Sequence, residues 1–454
     1  MNDIIERQRA FFASGRTRPL AFRAAALERL AQAISDYESD ILAALQRDLG
    51  KSRVAGYATE IGHCLTEINV ARKNLKRWMR PQKVRGASLF PLSRGLLVSE
   101  PLGVCLIIAP WNYPFHLAIS PLIGAIAAGN CAIVKPSEIS LNTERVLSAM
   151  IADRFEEEFI AVVCGGPSAS ERLLQHRFDH VFFTGGERVG KLVMKAAAST
   201  ITPVTLELGG KSPCIVAEDG DLAKTAKRIA WGKFLNAGQT CVAPDYLLVH
   251  KAVKEALVER LKESILAFYG PDPKQSADYG RLISEAQFDR LSELLSEGQV
   301  ILGGQTSRAD LYIAPTLIEN VPEDGRLTGE EIFGPLLPIL EYEDLSAALD
   351  FINQRPRPLA LYVFSRSRQL QEKVIAATSS GGVCINDTIV HLSASSLPFG
   401  GVGQSGFGRY HGRAGFDTFS NRKSILRQTL LFDVPKRFPP NDDKDLRLFR
   451  WLSR

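Results

Sequence analysis

Val104-Cys-Leu-Ile-Ile-Ala109 is a short apolar run, and Cys131-Ala-Ile-Val134 is a second run of the same kind. Between them, residues 115–129 are rich in Ala, Ile and Leu and fit a buried helix. A buried strand, a helix and another buried strand in this order form the unit from which parallel sheets are built. The stretch therefore predicts an α/β fold with a parallel sheet, and a nucleotide at the carboxyl ends of its strands.

The same alternation of short apolar runs and helical patterns continues on both sides of this stretch. Residues 2–79 contain helical patterns only, which indicates a helical scaffold before the sheet. The second half repeats the alternation without a fixed-period repeat or a low-complexity linker, so it predicts a second α/β domain. The further predicted elements are helices at 142–155, 221–235, 253–268, 285–298, 345–353 and 369–377, and strands at 160–163, 180–183, 202–206, 212–216, 246–250, 336–340 and 359–363.

Composition argues against several classes of protein. The formal net charge is only +5 over 454 residues, without a dense basic stripe, which argues against a nucleic-acid partner. The seven cysteines are scattered and form no Cys-x-x-Cys pair, which argues against a disulfide framework and against a bound metal. A polar N-terminus and the lack of an apolar run of about 20 residues predict neither a secretion signal nor a membrane span. We therefore expect a cytoplasmic protein.

One cysteine differs from the others in its surroundings. Cys241 lies in Gly232-Lys-Phe-Leu-Asn-Ala-Gly-Gln-Thr-Cys-Val-Ala-Pro244, a turn-prone segment that follows a helical pattern. The ordinary alternative is a buried structural cysteine, since free cysteine is among the most buried residue types. Glu207, inside an apolar run, and Asn112, in Pro110-Trp-Asn-Tyr-Pro114, argue for a functional role. A thiol, a carboxylate in apolar surroundings and an amide donor together suit covalent catalysis.

Seven short motifs resemble those of the aldehyde dehydrogenases, and they occur in the order found in that family. Any one of them would be a weak indication, whereas the ordered set is specific. Two further stretches, Ser405-Gly-Phe-Gly-Arg-Tyr-His-Gly412 and Phe416-Asp-Thr-Phe-Ser420, resemble the class 3 branch, which acts on fatty and aromatic aldehydes. The seven motifs are Pro110-Trp-Asn-Tyr-Pro114, Lys135-Pro-Ser-Glu138, Phe183-Thr-Gly185, Leu206-Glu-Leu-Gly-Gly-Lys211, Gly238-Gln-Thr-Cys241, Glu331-Ile-Phe-Gly-Pro335 and Pro398-Phe-Gly-Gly-Val-Gly403.

This resemblance implies the aldehyde dehydrogenase fold: a Rossmann-type cofactor domain, an α/β catalytic domain and a small β element for oligomerisation. The β element implies a homodimer. From the residues alone, the region around 80–100 fits only loop and short strands, because proline and glycine interrupt it. The implied bounds are 1–79 and 98–208 for the cofactor domain, 209–405 for the catalytic domain, 80–97 and 406–430 for the oligomerisation element, and 431–454 for a C-terminal tail.

The resemblance also implies a covalent mechanism. The Cys241 thiolate would add to the aldehyde, and the resulting thiohemiacetal would lose hydride to NAD(P) and become a thioester. The Asn112 side chain and the backbone N–H of Cys241 would stabilise the oxyanion, and Glu207 would activate the water that releases the acid. Taken alone, Asn112 fits a turn residue equally well, and Glu207 fits a carboxylate at a strand end. An apolar setting is expected to raise the pKa of Glu207.

NAD is the expected cofactor, with NADP as the alternative. Residues 183–191 follow a predicted strand and open a helix, and their glycines would let a pyrophosphate approach the helix N-terminus. The usual family pattern has a hydroxyl residue where Gly186 or Glu187 stands, so Glu187 is expected to point away from the phosphates. Glu138 would accept ribose hydroxyls and repel a 2′-phosphate, which favours NAD. The implied cofactor-binding residues are Trp111, Lys135, Glu138, Gly185, Gly186, Gly190, Leu208, Glu331 and Phe333.

The class 3 resemblance implies medium- or long-chain aliphatic, aromatic or apocarotenoid-like aldehydes as substrates. We expect the substrate entrance to be lined by Tyr113, Leu117, Thr240 and His391. Two alternatives are open: a relative that passes the thioester to coenzyme A, and a non-catalytic binding or structural protein. Glu207 argues against the first, since acyl-transferring relatives commonly lack this base. The complete catalytic set argues against the second.

The C-terminal tail, from residue 430 onwards, mixes aromatic side chains with arginines. A basic amphipathic helix of this kind can bind a membrane surface, which would make the protein membrane-peripheral. Such a tail more often packs on its own subunit or on a partner subunit. The sequence leaves both interpretations open.

Overall fold

The computed structural model describes residues 2–85, 92–431, 433 and 435–452. Helices and two large sheets alternate along the chain, as the sequence predicts. The α-helices of the described residues are α1 (Asn2–Ala13), α2 (Leu20–Asp36), α3 (Glu38–Leu49), α4 (Arg53–Gly56), α5 (Gly62–Trp78), α6 (His116–Ala128), α7 (Leu141–Arg154), α8 (Pro167–Leu174), α9 (Glu187–Ser199), α10 (Leu222–Phe234), α11 (Lys254–Tyr269), α12 (Glu285–Leu294), α13 (Arg326–Gly329), α14 (Leu345–Asn353), α15 (Arg368–Ala377), α16 (Gly412–Thr418) and α17 (Asp443–Leu452). The strands are β1 (Gln82–Arg85), β2 (Arg94–Pro101), β3 (Val104–Ile108), β4 (Cys131–Lys135), β5 (Ile160–Val162), β6 (His180–Thr184), β7 (Val204–Glu207), β8 (Pro213–Val216), β9 (Tyr246–His250), β10 (Gln299–Leu302), β11 (Thr306–Ser307), β12 (Tyr312–Ile313), β13 (Thr316–Glu319), β14 (Leu336–Tyr342), β15 (Ala360–Phe364), β16 (Gly382–Ile385), β17 (Gly406–Phe407) and β18 (Ser420–Arg427).

The β3–α6–β4 unit lies in the middle of the first sheet. β3 pairs in parallel with β4 on one side and with β6 on the other. Every residue of β3, α6 and β4 is buried, which explains why the sequence shows continuous apolar runs here instead of an alternation. The six strands follow the order β17-β7-β6-β3-β4-β5, with β17 antiparallel at the edge. The predicted strand–helix–strand unit is confirmed.

The second sheet contains strands of the second half in the order β10-β13-β14-β9-β8-β15-β16. Its neighbours pair in parallel from β13 to β16, and β10 is antiparallel at one edge. Residues 208–212 connect β7 of the first sheet to β8 of the second. Glu207, the last residue of β7, therefore lies where the chain passes from one sheet to the other.

The predicted oligomerisation element contains a three-stranded antiparallel sheet, β1-β2-β18. Its bounds differ from those that the resemblance implied. β2 continues to Pro101, whereas residues 406–419 join the first sheet through β17 and pack α16 against α5 and α6. The small sheet resumes only at Ser420. Residues 86–91 of the predicted element lie outside the described residues.

The N-terminal helices pack on the first sheet, where α1 contacts β3 and β4 while α2 and α5 contact α6. Within the helical scaffold predicted over residues 2–79, a π-helical turn at Tyr57–Ile61 separates α4 from α5. Such a turn inserts an extra residue into a helix and is frequent at functional sites. Here it contains Glu60, whose side chain is fully buried.

The C-terminal tail ends in the amphipathic helix α17. Lys436 and Asp445 form an ion pair at 2.8 Å, which connects the helix to the preceding turn. Leu446 is 47% exposed and Trp451 is 72% exposed, so the helix presents apolar side chains at the surface. Among the helices of the described residues, none has the length and apolar character needed to cross a membrane.

Candidate active site

A cavity of about 540 Å³, here called the chamber, is lined by residues from both halves of the chain. This size is typical of a small-molecule site. The predicted site residues that line it are Trp111, Asn112, Tyr113, Leu117, Gly185, Gly186, Glu207, Leu208, Thr240, Cys241, Glu331 and Phe333. The predicted site residues outside its wall are Lys135, Glu138, Gly190 and His391.

Cys241 lies on the chamber wall, after a tight turn between α10 and β9. Asn236 and Ala237 adopt left-handed backbone conformations, with φ of 53° and 51°. Gly238 follows with φ of 74°, and a Cβ atom there would lie 2.1 Å from the backbone oxygen of Gly334. A side chain does not fit, so the turn that positions the thiol requires this glycine.

The Cys241 thiol is protonated in the resting site. Burial, together with the nearby carboxyl groups of Glu331 and Glu207, raises its pKa to about 12. The thiolate, and not the thiol, is the nucleophile in cysteine chemistry. The site therefore needs a base that takes the thiol proton.

Glu207 has a buried carboxyl group in the chamber wall, and neither oxygen has a hydrogen-bond partner among the described residues. Gly400 makes room for it, because a Cβ atom there would lie 2.9 Å from Glu207 Oε1. Burial raises the pKa of Glu207 well above its usual value, and the guanidinium of Arg409 opposes this rise. A buried carboxyl group without partners is costly in a folded protein and is typical of functional sites.

Both the side chain and the backbone of Asn112 are held by hydrogen bonds. Its Nδ2 donates to the backbone oxygen of Gln239 at 3.0 Å, two residues before the thiol. Its own backbone oxygen accepts hydrogen bonds from Lys51 Nζ at 3.2 Å and from Asn236 Nδ2 at 2.9 Å. The amide carries a second N–H, as a donor to an oxyanion requires.

Lys51 and Glu60 form a buried ion pair that the sequence analysis missed. Glu60 Oε2 accepts the backbone N–H groups of Phe115 at 3.0 Å and His116 at 2.9 Å, at the start of α6. Because Lys51 also donates to the backbone oxygen of Asn112, the pair holds the whole loop that carries the proposed oxyanion donor. The sequence analysis missed this pair because no local pattern of residues indicates the π turn that contains Glu60.

The buried side chain of Gln239 holds the loop before the thiol by hydrogen bonds to the backbone. Its Nε2 donates to the backbone oxygens of Asn236 at 3.0 Å and Arg281 at 2.9 Å. Its Oε1 accepts the backbone N–H of Ile283 at 3.0 Å. The side chain is fully buried and its hydrogen bonds are made within the protein, so the loop has a single well-defined position.

The glycines after β6 shape an open cleft at the N-terminus of α9. Gly186 caps this helix, and no other heavy atom of the described residues lies within 4 Å of a Cβ placed there. Such helix N-termini favour phosphate groups. Glu187 pairs with Lys191 at 2.6 Å, which directs its carboxylate along the helix. Gly190 does not line the cleft; a Cβ there would lie 2.9 Å from Leu208 Cδ2, so it allows close packing instead.

Glu331 and Phe333 reach the chamber from the loop before β14. The Phe333 ring is edge-on to Trp111, with ring centres 5.3 Å apart. The Glu331 carboxylate lies against Gly209, where a Cβ atom would be 2.1 Å from its Oε2. Burial raises the pKa of Glu331 to about 8. A carboxyl group for ribose hydroxyls beside two aromatic rings suits the ribose and ring of a nicotinamide cofactor.

Lys135 and Glu138 lie at and just beyond the carboxyl end of β4, outside the chamber wall. This edge of a parallel sheet is where nucleotides bind. Lys135 Nζ donates to Glu138 Oε2 at 2.6 Å, and the Glu138 side chain is 33% exposed. The edge therefore carries a cation as well as a carboxylate, which the sequence-based argument for NAD did not take into account.

His391, a predicted substrate contact, is not among the residues that line the chamber. Its ring packs near Tyr362 and Phe399, with ring centres 6.0 and 6.1 Å away. Ile389 turns the chain with a left-handed φ of 52°, which presents the neighbours of His391 to the chamber. The residues of this loop that line the chamber are Ile389, Val390, Leu392 and Ser393.

Tyr113, Leu117 and Thr240 line the chamber, and the Tyr113 hydroxyl is hydrogen-bonded to Thr240 Oγ1 at 2.6 Å. Other wall residues come from distant parts of the chain, so no local pattern could have brought them together. The wall residues that the sequence analysis missed include Ala58, Thr59, His63, His116, Trp231, Leu235, Phe399, Tyr410 and His411.

Comparison with known proteins points to one family. The sequence model of the aldehyde dehydrogenase family matches residues 1–425. Aldehyde dehydrogenase family 3 member B1 of Bos taurus is 48% identical over 448 residues, which cover 98% of this chain and 96% of that protein. The 4,4′-diaponeurosporen-aldehyde dehydrogenase of Staphylococcus aureus is also 48% identical, over 96% of this chain and 95% of its own. The solved structure of Staphylococcus aureus AldH in its substrate-bound state superposes with a TM-score of 0.96 at 46% identity, covering 100% of this chain and 99% of that one.

Proposed function

The chain belongs to the aldehyde dehydrogenase family and oxidises aldehydes to carboxylic acids, and we propose that Cys241, Glu207 and Asn112 carry out this reaction. One observation supports these roles above all. The same chamber contains a thiol on a fixed turn, a buried carboxyl group without a partner and an amide held on two sides. Among the described cysteines, Cys241 alone lines this chamber.

The reaction starts with the transfer of the thiol proton. Burial disfavours a negative charge on Cys241 and on Glu207. A state with one negative charge shared between the two residues is therefore favoured over a state in which both are ionised. Moving the proton from Cys241 Sγ to the Glu207 carboxylate keeps the total charge of the pair unchanged. The thiolate then adds to the aldehyde carbon, and the carbonyl electron pair moves onto the oxygen.

The resulting oxyanion is stabilised by Asn112 Nδ2 and the backbone N–H of Cys241. A donor of this kind contributes about 3–4 kcal/mol in comparable sites. Asn112 suits the role because its position is fixed before the substrate arrives. When bound, NAD(P) supplies the acceptor for the hydride that leaves the thiohemiacetal, and a thioester remains on Cys241.

After the hydride has left, Glu207 releases the thiol proton to solvent, and its carboxylate then takes a proton from the water that attacks the thioester. The carbon–sulfur bond breaks, the carboxylic acid leaves, and the proton held by Glu207 passes to the Cys241 sulfur, which restores the thiol. A raised pKa makes the Glu207 carboxylate a stronger base than an exposed carboxylate, which suits this step. Hydrolysis by Glu207 is also what separates this chain from relatives that pass the acyl group to coenzyme A.

The cofactor is held, in this proposal, by residues along the carboxyl edge of the first sheet and on the chamber wall. The backbone at Gly185 and Gly186 receives the pyrophosphate, because the α9 N-terminus is open there. The adenosine ribose lies at Lys135 and Glu138. The residues around the nicotinamide and its ribose are Trp111, Leu208, Glu331 and Phe333.

NAD is proposed to be used more efficiently than NADP. The Glu138 carboxylate repels the 2′-phosphate of NADP. Its partner Lys135 offers that phosphate a cation, so NADP is still accepted, but less well than NAD. The ratio of kcat/KM for the two cofactors measures this in the wild type and in Glu138→Gln. We expect the variant to shift the ratio toward NADP; an unchanged ratio would show that Glu138 does not set it.

Apolar aldehydes are the proposed substrates: medium- or long-chain aliphatic, aromatic or apocarotenoid-like. Leu117, Trp231, Leu235 and Phe399 give the chamber an apolar wall. A series of linear aldehydes from propanal to decanal tests this, with kcat/KM expected to rise with chain length. A value that falls along the series would contradict an apolar substrate.

A homodimer is proposed, built on the small sheet. β1 and β18 form its two edges, and most side chains of β18 are exposed. Strand edges with free N–H and C=O groups are ready to pair with another chain. Light scattering at micromolar concentration is expected to give twice the chain mass, and a monomer mass would refute the proposal.

A cytoplasmic location is proposed, with peripheral membrane contact through the tail. The exposed Leu446 and Trp451 beside basic residues of α17 support such contact. Sedimentation with anionic phospholipid vesicles tests it, with Trp451→Ala as the matched variant. Cosedimentation of the wild type that Trp451→Ala reduces is expected; recovery of both proteins in the supernatant would contradict membrane contact.

Purified protein, NAD and decanal test the chemistry itself. NADH formation without coenzyme A, with decanoic acid as the product, is expected. NADH formation only in the presence of coenzyme A would indicate acyl transfer, and NADH formation under neither condition would contradict a catalytic role.

A further inference from the structure

We propose that Glu67, His116 and His411 form a binding site for a divalent transition metal, best suited to Zn²⁺, at the wall of the chamber. Each residue offers one ligand atom, and these three atoms all lie within 4.8 Å of one another. The residues are 6%, 6% and 5% exposed. Two imidazoles and one carboxylate form a ligand set known from zinc enzymes, where the metal bonds are about 2.0–2.2 Å long.

The ligand atoms are held by their surroundings. Glu67 in α5 accepts a hydrogen bond from the Ser120 hydroxyl of α6 and another from the backbone N–H of Gly412 at 3.2 Å. His116 begins α6, and His411 immediately precedes α16. Three helices that pack together therefore bring the three residues to one point. Such hydrogen bonds to a ligand carboxylate orient it for metal binding.

One ring nitrogen of His411 is in the state that a metal ligand requires. Its Nε2 is buried without a hydrogen-bond partner among the described residues, although Glu67 and His116 are close by. A ring nitrogen of this kind, buried among other ligand-type side chains, is the atom by which histidine binds a metal.

The His116 ring is also held in place by a neighbouring ring. The His63 ring stacks on His116 with centres 5.2 Å apart, which restricts rotation of the ligand ring.

A metal at this point would close part of the chamber. His116 and His411 both line it, so the fourth coordination position of a tetrahedral ion would face the space that the aldehyde occupies. Bound Zn²⁺ is therefore expected to act as a reversible inhibitor that competes with the aldehyde. Metal binding itself does not depend on the proposed catalytic roles, whereas this inhibition does.

Co²⁺ titration of the full chain tests the site, because four-coordinate Co²⁺ has much stronger visible absorption bands than the aqueous ion. Cys241→Ser serves as the background, so that the catalytic thiol does not bind metal. One Co²⁺ per chain is expected, displaced by Zn²⁺. Glu67→Gln and His411→Gln, each in this background, are expected to weaken binding at least ~100-fold, beyond the usual effect of losing an outer-shell partner.

His391→Gln is the matched control. His391 is a neighbouring histidine, and its two ring nitrogens lack partners in the described structure, but it is not part of the cluster. Its Co²⁺ affinity is expected to equal that of the background. Equal affinity in His411→Gln and the background, or no saturable binding at all, would overturn the proposal. Circular dichroism checks folding, and His411→Gln decides the test if Glu67→Gln does not fold. Activity of the wild type and of His411→Gln is then measured with Zn²⁺ and after a chelator. Inhibition that the chelator reverses, that aldehyde relieves and that His411→Gln weakens is expected; equal inhibition of both proteins would assign the inhibition to the thiol.

Discussion

Glu60 and Glu207 are both buried carboxyl groups, but their surroundings are opposite. Glu60 pairs with Lys51 and accepts two backbone N–H groups at the start of α6. Glu207 has no hydrogen-bond partner within the described structure, and burial raises its pKa. The comparison shows that burial alone does not mark a catalytic carboxyl group. The satisfied one holds a loop in place, and the one without partners is available to exchange protons.

Cys241→Ala removes the thiol whose proton Glu207 takes, and we expect the largest effect on activity from this substitution. No thiohemiacetal can form, and a free aldehyde is a poor hydride donor, so NADH formation should be abolished. Steady-state NADH production measures this. Cys164→Ala is the control, because Cys164 is exposed and lies outside the chamber wall. NADH formation by Cys241→Ala would overturn the covalent scheme.

Glu207→Gln keeps the shape of the side chain but removes its ability to take a proton. Turnover should fall by the ~10²–10⁴ that is typical of losing a general base. The change is measured as kcat at saturating aldehyde and NAD, with circular dichroism as the check on folding. Turnover close to that of the wild type would remove Glu207 from the mechanism.

Lys51→Met tests the other half of the comparison, since it leaves the Glu60 carboxylate buried without its cation. The free energy of unfolding should fall by about 3–5 kcal/mol. Urea denaturation measures it, and kcat should fall as well because the Asn112 loop loses a hydrogen bond. The double variant Lys51→Met/Glu60→Gln is expected to recover much of the stability. A single variant as stable as the wild type would show that the pair has no structural role.

The pH dependence of stability should distinguish the two carboxyl groups by a smaller effect. The pKa of Glu207 is raised above its ordinary value of 4.5, so its ionisation favours the unfolded chain as the pH increases. Glu207→Gln should therefore become more stable than the wild type by about 1–3 kcal/mol as the pH rises above 4.5 and level off above the folded pKa. Thermal unfolding across this range measures the difference. Burial raises the pKa of Glu60 as well, but Glu60→Gln should lose stability at neutral pH because it leaves the buried Lys51 ammonium without its partner. A gain in stability there would contradict the assigned difference.

Local patterns predicted the parts of the fold whose burial is uniform. β3, α6 and β4 are apolar throughout, and β9 coincides with the predicted strand at 246–250. The Gly-rich turn before Cys241 was also visible, because a glycine with positive φ is required there. These features depend on residues that are close in sequence.

The rest depends on contacts between distant segments. Glu60 reaches the interior only through a π turn, and β17 joins the first sheet with two residues. The left-handed turn at Ile389 places the neighbours of His391, and not His391 itself, on the chamber wall, and no local pattern indicates this turn. His116 and His411 belong to different helical regions, so their approach to Glu67 follows from helix packing alone.

A rapid-mixing measurement of NADH formation by Glu207→Gln tests most directly whether Glu207 acts as a base beside the Cys241 thiol. The account predicts a burst of at most one NADH per site, followed by very slow turnover. The burst should be slower than in the wild type and should speed up as the pH rises, because the variant lacks the base that takes the thiol proton and burial raises the thiol pKa to about 12. A burst with the rate of the wild type, followed by the turnover of the wild type, would contradict the account.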